Sequence, residues 1–257
     1  MSNRTRNILI IVFSLLLASV TLVSYVMGRK MERSVVCNKL NVIIADSTEN
    51  NFVHPEKIKS YLDREYGTYM GISADSINLA RIESIIDKKS AVYKSEAYIT
   101  PDGTLNITLT QRRPIVRFQS PDGGFYADSY GYIFPLQNSY SSHVQIIDGD
   151  IPFHFSRGEQ YEIKDAKARE WFDRTINLIN YLDNSKLWKG KIVQIHVEKG
   201  GGLILVPREG KEKFYFGQPV SIEDKMRKME DYYTHILPEK GAYSKVDLRF
   251  KKQIVCK

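Results

Sequence analysis

Five histidines, His54, His143, His154, His196 and His235, are the first residues to test for chemistry, and their spacing argues against it. No two lie closer than 11 residues, and no HExxH, His-x3–5-His or paired-cysteine pattern sets ligands at metal-binding spacing. His196 alternates within Ile192-Val193-Gln194-Ile195-His196-Val197, the position of a strand histidine and not of a base. Ser76 and Ser142 stand in no GxSxG elbow, and no SxxK is present. Gly200-Gly201-Gly202 precedes no GK[ST] and lies between two apolar runs, so it reads as a hairpin turn and not a phosphate cradle. Carboxylates are scattered through a chain that is 26% charged. No catalytic, cofactor or metal residue is therefore named, although a site assembled only by the fold stays open.

Cys37 and Cys256 lie near opposite ends of the body and form neither a CxxC pair nor a metal motif. An oxidising compartment would permit a bridge between them. Cys37 falls in an apolar strand-like run, where cysteine acts as a small buried hydrophobe.

One feature points to binding. Tyr243 to Val255 reads as a long strand at the chain end, and a terminal strand at a sheet edge can accept an added strand from a partner. Lys251 and Lys252 act there either as gatekeepers against indiscriminate pairing or as part of an edge kept for one partner.

The strongest organising element is the uncharged run Ile8 to Met27, 20 residues long. At about 1.5 Å per residue it matches a bilayer core of roughly 30 Å. It exceeds a signal-peptide core and closes on Tyr25, Val26 and Met27 without a small-x-small site, so an uncleaved anchor is expected. Arg4 and Arg6 on one side and Arg29, Lys30 and Arg33 on the other leave the orientation undecided. Those five cations against Glu32 account for most of the net charge of +7 and leave only +3 to the body. The basicity is juxtamembrane, and nucleic-acid binding loses its support.

With 42% hydrophobic residues the body can bury a core. Its first region shows a strand with Leu40, Val42 and Ile44 on one face, then a helix from Pro55 to Tyr66. A second helix follows, capped by Asn78 and stapled by Ile77 and Ile82. Strands Val92–Ile99 and Leu105–Thr110 are joined by the Pro101-Asp102-Gly103 turn. The order β-α-α-β-β is one compact sheet covered by two helices. The second region offers strands at 115–119, 125–127, 132–134, 144–147, 192–197, 203–206, 213–216 and 245–255, with a turn at 122–124. Its first helix, 166–182, sets Trp171, Thr175, Leu178, Ile179 and Leu182 along one stripe. Its second opens on a Ser221/Asp224 capping box and ends at Pro238 and Gly241. The fold class is α+β.

These passages, in this order behind a single anchor, resemble the bacterial cell-division family FtsQ/DivIB over essentially the whole chain. Leu105-Asn106-Ile107-Thr108-Leu109-Thr110-Gln111-Arg112-Arg113-Pro114 is similar to its "L-x-I-x-V-x-E-R-x-P" passage, with Gln111 where glutamate is usual. Phe125 to Phe134 resembles its "hydrophobic-x-D-x-x-G-x-V-F" hairpin, and Val246-Asp247-Leu248-Arg249-Phe250 its closing "V-D-L-R-Y" strand. The resemblance implies a cytoplasmic tail over 1–7, a transmembrane helix over 8–27 and a linker over 28–35. A polypeptide-transport-associated (POTRA) domain over 36–114 and a β domain over 115–257 would follow. It implies a non-enzymatic bitopic scaffold of the divisome in the inner membrane, with its body in the periplasm and enriched at the septum. Such a scaffold takes no cofactor or small-molecule substrate, recruits FtsB and FtsL, and meets other divisome proteins through POTRA. By position, Tyr243, Val246, Leu248, Arg249, Phe250, Lys251, Lys252 and Gln253 would carry the strand-addition contact. The rivals are a membrane-anchored envelope enzyme, which would show clustered perturbed carboxylates in a pocket, and an outer-membrane assembly factor using its POTRA module.

Overall fold

The computed structural model describes residues 3–32, 35–49, 51–120, 123–137, 140–154 and 162–257, with side chains 11–27 alone along the first of these stretches. The side chains of the expected flanking charges Arg4, Arg6, Arg29, Lys30 and Arg33, and Asp122 of the expected turn, lie outside the described residues. The chain is a mixed α+β protein that divides into Met1–Glu49 with Val53–Gln111, and Asn50–Phe52 with Arg112–Lys257.

The first unit opens with helix α1 (Asn3–Glu32), whose large apolar side chains between Ile11 and Met27 are exposed on every side. Among the described residues, whose side chains along α1 cover only 11–27, no helix is long and apolar enough to cross a membrane.

The rest of the unit is β1 (Lys39–Ile44), α2 (Pro55–Glu65), α3 (Leu79–Asp87), β2 (Val92–Ile99) and β3 (Thr104–Gln111). β3 lies at the centre of the sheet, parallel to β1 and antiparallel to β2. Alternation along β1 turns Leu40, Val42 and Ile44 inward. The helices cover that face with Ile58 and Leu62 of α2 and Ile82, Ile85 and Ile86 of α3. Pro55 pre-sets the first turn of α2. Asn78 caps α3, its side chain accepting the Arg81 N–H at 2.9 Å, and Ile77 and Ile82 are both buried, as a staple requires.

Gln111, 3% exposed, closes the unit. Its Oε1 accepts the Val53 N–H at 2.8 Å, while its own N–H donates to both Asp46 carboxylate oxygens at 3.1 Å. Its Nε2 lies 3.4 Å from Asp46 Oδ1, so an amide suits a place where a second carboxylate would meet Asp46.

In the second unit, strands β4 (Pro114–Ser120), β5 (Gly123–Asp128), β6 (Ile133–Pro135) and β7 (Gln145–Gly149) precede helix α4 (Ala166–Asn184). Then come β8 (Ile192–Val197), β9 (Leu203–Pro207), β10 (Lys213–Gly217), α5 (Ile222–Asp231), α6 (Leu237–Lys240), β11 (Lys245–Asp247) and β12 (Val255–Cys256). They form one nine-stranded sheet ordered β12-β11-β10-β9-β8-β7-β4-β5-β6.

All five expected stripe residues of α4 are buried, with Ala168, Phe172 and Ile176 beside them. They pack on a ring cluster in which Phe118 stacks on Phe125 at 4.7 Å and meets Phe172 at 5.7 Å. Trp171 Nε1 donates to the Gly201 carbonyl at 2.7 Å, so the triple-glycine turn serves as an acceptor for a buried indole. Gly201 has φ +81, and a Cβ there would lie 3.0 Å from Trp171 Nε1, which explains the bare residue.

Three local expectations are corrected. Ser221 sits in the left-handed region (φ 52) and makes no side-chain cap bond, because a capping residue needs extended backbone to aim its oxygen at the helix N–H groups. The helix does not stop at Pro238. A wide π turn over Tyr232–Ile236 precedes it, the Leu237 N–H reaching back to the Tyr232 carbonyl, and the helix ends at Gly241 (φ 77), the other expected stop. The long terminal strand is two short ones, β11 and β12, folded back on each other.

Candidate partner-binding edge

β11 is not the sheet edge. It pairs in parallel with β10 through Phe214 and Val246, and antiparallel with β12 through Val246 and Cys256. Val246 and Leu248 are accordingly fully buried in the core. The chain leaves the ladder after Leu248, whose N–H donates to the Tyr215 carbonyl at 3.0 Å.

Two contacts turn it there. The Asp247 carboxylate accepts from Arg249 N at 3.2 Å, Nε at 2.8 Å and Nη2 at 2.5 Å. Lys228 of α5 donates from Nζ to the Leu248 carbonyl at 3.3 Å and to the Phe250 carbonyl. Hydrogen bonding from Arg249 outweighs burial and holds the Asp247 carboxyl below the usual carboxylate range, and the same pairing raises Arg249.

The Arg249 side chain runs over Gly217 (φ 71), where a Cβ would come within 2.9 Å of its Cγ. Two cations lie over the Tyr215 ring, Lys245 Nζ 3.9 Å and Arg249 Cζ 5.8 Å from its centre. Phe250, Lys251, Lys252 and Gln253 form the exposed turn that follows. Tyr243 is half-buried, its N–H donating to Tyr232 Oη at 3.2 Å. The eight positions named from the sequence thus split between an exposed turn, a half-buried approach and two core residues.

β12 is one edge of the sheet, β6 being the other. Lys245 and Lys257 exchange both backbone hydrogen bonds, at 3.0 and 2.9 Å. Val246 and Cys256, next along, are then a non-hydrogen-bonded pair, so the Cys256 N–H and C=O point out of the sheet, and those of Ile254 likewise. The side chains of Ile254 and Cys256 pack on the core, which fixes the strand while its backbone faces outward. These residues, with Tyr215 and Lys228, were missed from the sequence. The only local signal for an edge there is the short Ile254-Val255-Cys256 run after a charged turn. Cys37 and Cys256 are both free thiols, raised above the ordinary cysteine value mainly by burial.

Two other polar groupings of the second unit are paired within themselves. His196 Nδ1 lies 2.8 Å from Asp148 Oδ1 on the exposed sheet face. In the cleft of about 500 Å³ beside Trp171, Asp165 caps α4 through the Ala168 N–H and Glu170 pairs with Arg174 at 2.5 Å. Among the described residues no group of three or more His, Cys, Asp or Glu side chains could hold a metal ion.

Comparison with known proteins agrees with the division of the fold. A family model described as "FtsQ/DivIB, C-terminal related" matches residues 113–257, and one for a POTRA-like domain matches residues 35–110. No curated protein matches the chain.

Proposed function

Since the chain belongs to the FtsQ/DivIB, C-terminal related family, we propose that it is a non-enzymatic, membrane-anchored scaffold of the bacterial division machinery, holding FtsB- and FtsL-like partners by strand addition. The observation that carries this reading is the open backbone of β12 at Ile254 and Cys256, next to an exposed basic turn. An added strand gains main-chain hydrogen bonds there, while Arg249, Phe250, Lys251, Lys252 and Gln253 are placed to select it. In this reading the POTRA domain is the segment 36–114 and the β domain the segment 115–257.

The anchor is Ile8 to Met27, a run without charge inside the 30-residue helix α1. Exposed apolar side chains all round that helix fit lipid and not water. By family likeness the tail is cytoplasmic, the body lies in the periplasm, and the protein gathers at the septum to support peptidoglycan synthesis.

Ile254→Pro tests the binding mode. It removes an outward N–H that β11 does not use, so the sheet should keep its melting temperature while capture of FtsB- and FtsL-like partners falls at least tenfold. Undiminished capture by a folded variant would refute strand addition at this edge.

A further inference from the structure

The first unit carries a surface that scaffolding through β12 leaves unused. A cleft of about 620 Å³ between α2 and α3 is lined by Tyr61, Glu65, Arg81, Ile85 and Lys88 among others. Cations gather over tyrosine rings in and beside it: Lys89 Nζ lies 4.4 Å and Arg64 Cζ 5.3 Å from the centre of Tyr61, which lines the cleft, and Arg81 Cζ 5.2 Å from that of neighbouring Tyr66. Lys57, one turn before Tyr61, is close enough to Lys89 to act on it. Burial first, then repulsion from Arg64 and Lys57, lowers the Lys89 pKa.

The nearby acids already have partners. Asp63 accepts from Tyr69 Oη, Glu83 from the Ala97 N–H, and Asp87 from Ser95 and Lys94. Glu65, which lines the cleft, is held by Arg64 at 2.8 Å. A half-buried lysine with no ion pair among the described residues, ringed by like charge and tyrosine, is suited to an anion.

The chain itself limits which anion is near. α1 ends at Glu32 and β1 begins at Lys39, so at about 3.5 Å per extended residue the unit stays within roughly 25 Å of the end of α1. Resting on the anchor reading above, we propose that the α2–α3 cleft binds the headgroups of anionic phospholipids in the bilayer that holds α1. Tyr61 and Tyr66 suit that boundary, each offering an apolar ring and a polar tip.

Lysine footprinting of the full chain in nanodiscs tests this. With about 30% phosphatidylglycerol in phosphatidylcholine, acetylation of Lys57, Lys88 and Lys89 should slow about fivefold relative to phosphatidylcholine alone. The difference should vanish at about 1 M NaCl, where the Debye length is near 3 Å. Lys213 of the second unit serves as the unaffected reference, and Arg81→Glu combined with Lys88→Glu should abolish the slowing at Lys57 and Lys89. Equal rates in both discs would overturn the proposal and leave the cleft to an acidic protein segment. Failure of the anchor would show separately, as chain eluting free of both discs, and would overturn both readings.

Discussion

Arg249 holds both carboxylate oxygens of Asp247, Nε to Oδ1 at 2.8 Å and Nη2 to Oδ2 at 2.5 Å, across one intervening residue. Asp247 is buried while the Arg249 side chain is 46% exposed, so the pair fixes the exit from β11 at the protein surface. Its position, beginning directly after Val246, the last buried valine of the ladder, is what turns the terminal segment into an exposed loop with β12 folded back beneath it.

Arg249→Ala should therefore destabilise the second unit by about 1–2 kcal/mol, less than a fully buried pair because the guanidinium is half in water. Chemical denaturation of the full chain in detergent measures this, and no change would show that the turn is held by Lys228 alone.

The same pair sets a pH dependence. The Asp247 pKa is depressed in the folded state, so its stabilisation is present above the ordinary carboxylate value of about 3.9 and is lost as pH falls from there toward the folded value. Asp247→Asn should flatten that acid limb of the stability curve while lowering stability at pH 7.

Gln111→Glu should cost the first unit about 1–3 kcal/mol by setting a second carboxylate against Asp46 in a buried site. Adding Asp46→Asn should recover most of the loss in thermal melting, because one amide can then face the introduced carboxylate. A neutral Gln111→Glu would remove this explanation of the residue.

Leu16→Arg with Leu17→Arg should release the protein from carbonate-washed membranes, since each arginine near a helix centre costs about 2.5–3.5 kcal/mol of insertion. Retention of the double variant would count against α1 as the anchor.

Local signals were legible where they act within a few residues. The β-α-α-β-β order, the Asn78 cap and the α4 stripe all follow from period and turn chemistry, and all stand in the fold. The terminal segment did not, because its course depends on Lys228 reaching carbonyls 20 and 22 residues away. Alternation alone extends a strand through Leu248 to Val255, yet those contacts and the Asp247 clamp break it. Ser221 shows the limit of motif reading: the Ser-x-x-Asp spacing is present, but its backbone angle forbids the cap. Within the candidate site, the charged turn was visible as charge and apolar alternation, whereas the open edge at Ile254 and Cys256 is defined only by the register of β12 on β11.

The central claim is that a partner strand seats on β12, and photo-crosslinking in living cells addresses it most directly. A photoreactive residue placed in turn at Lys252, Gln253 and Lys257, all exposed, should capture FtsB- or FtsL-like chains, identified by mass spectrometry. The same probe at Lys167, exposed on α4, should not. Capture of no division protein from the three edge positions, or equal capture from Lys167, would contradict the account.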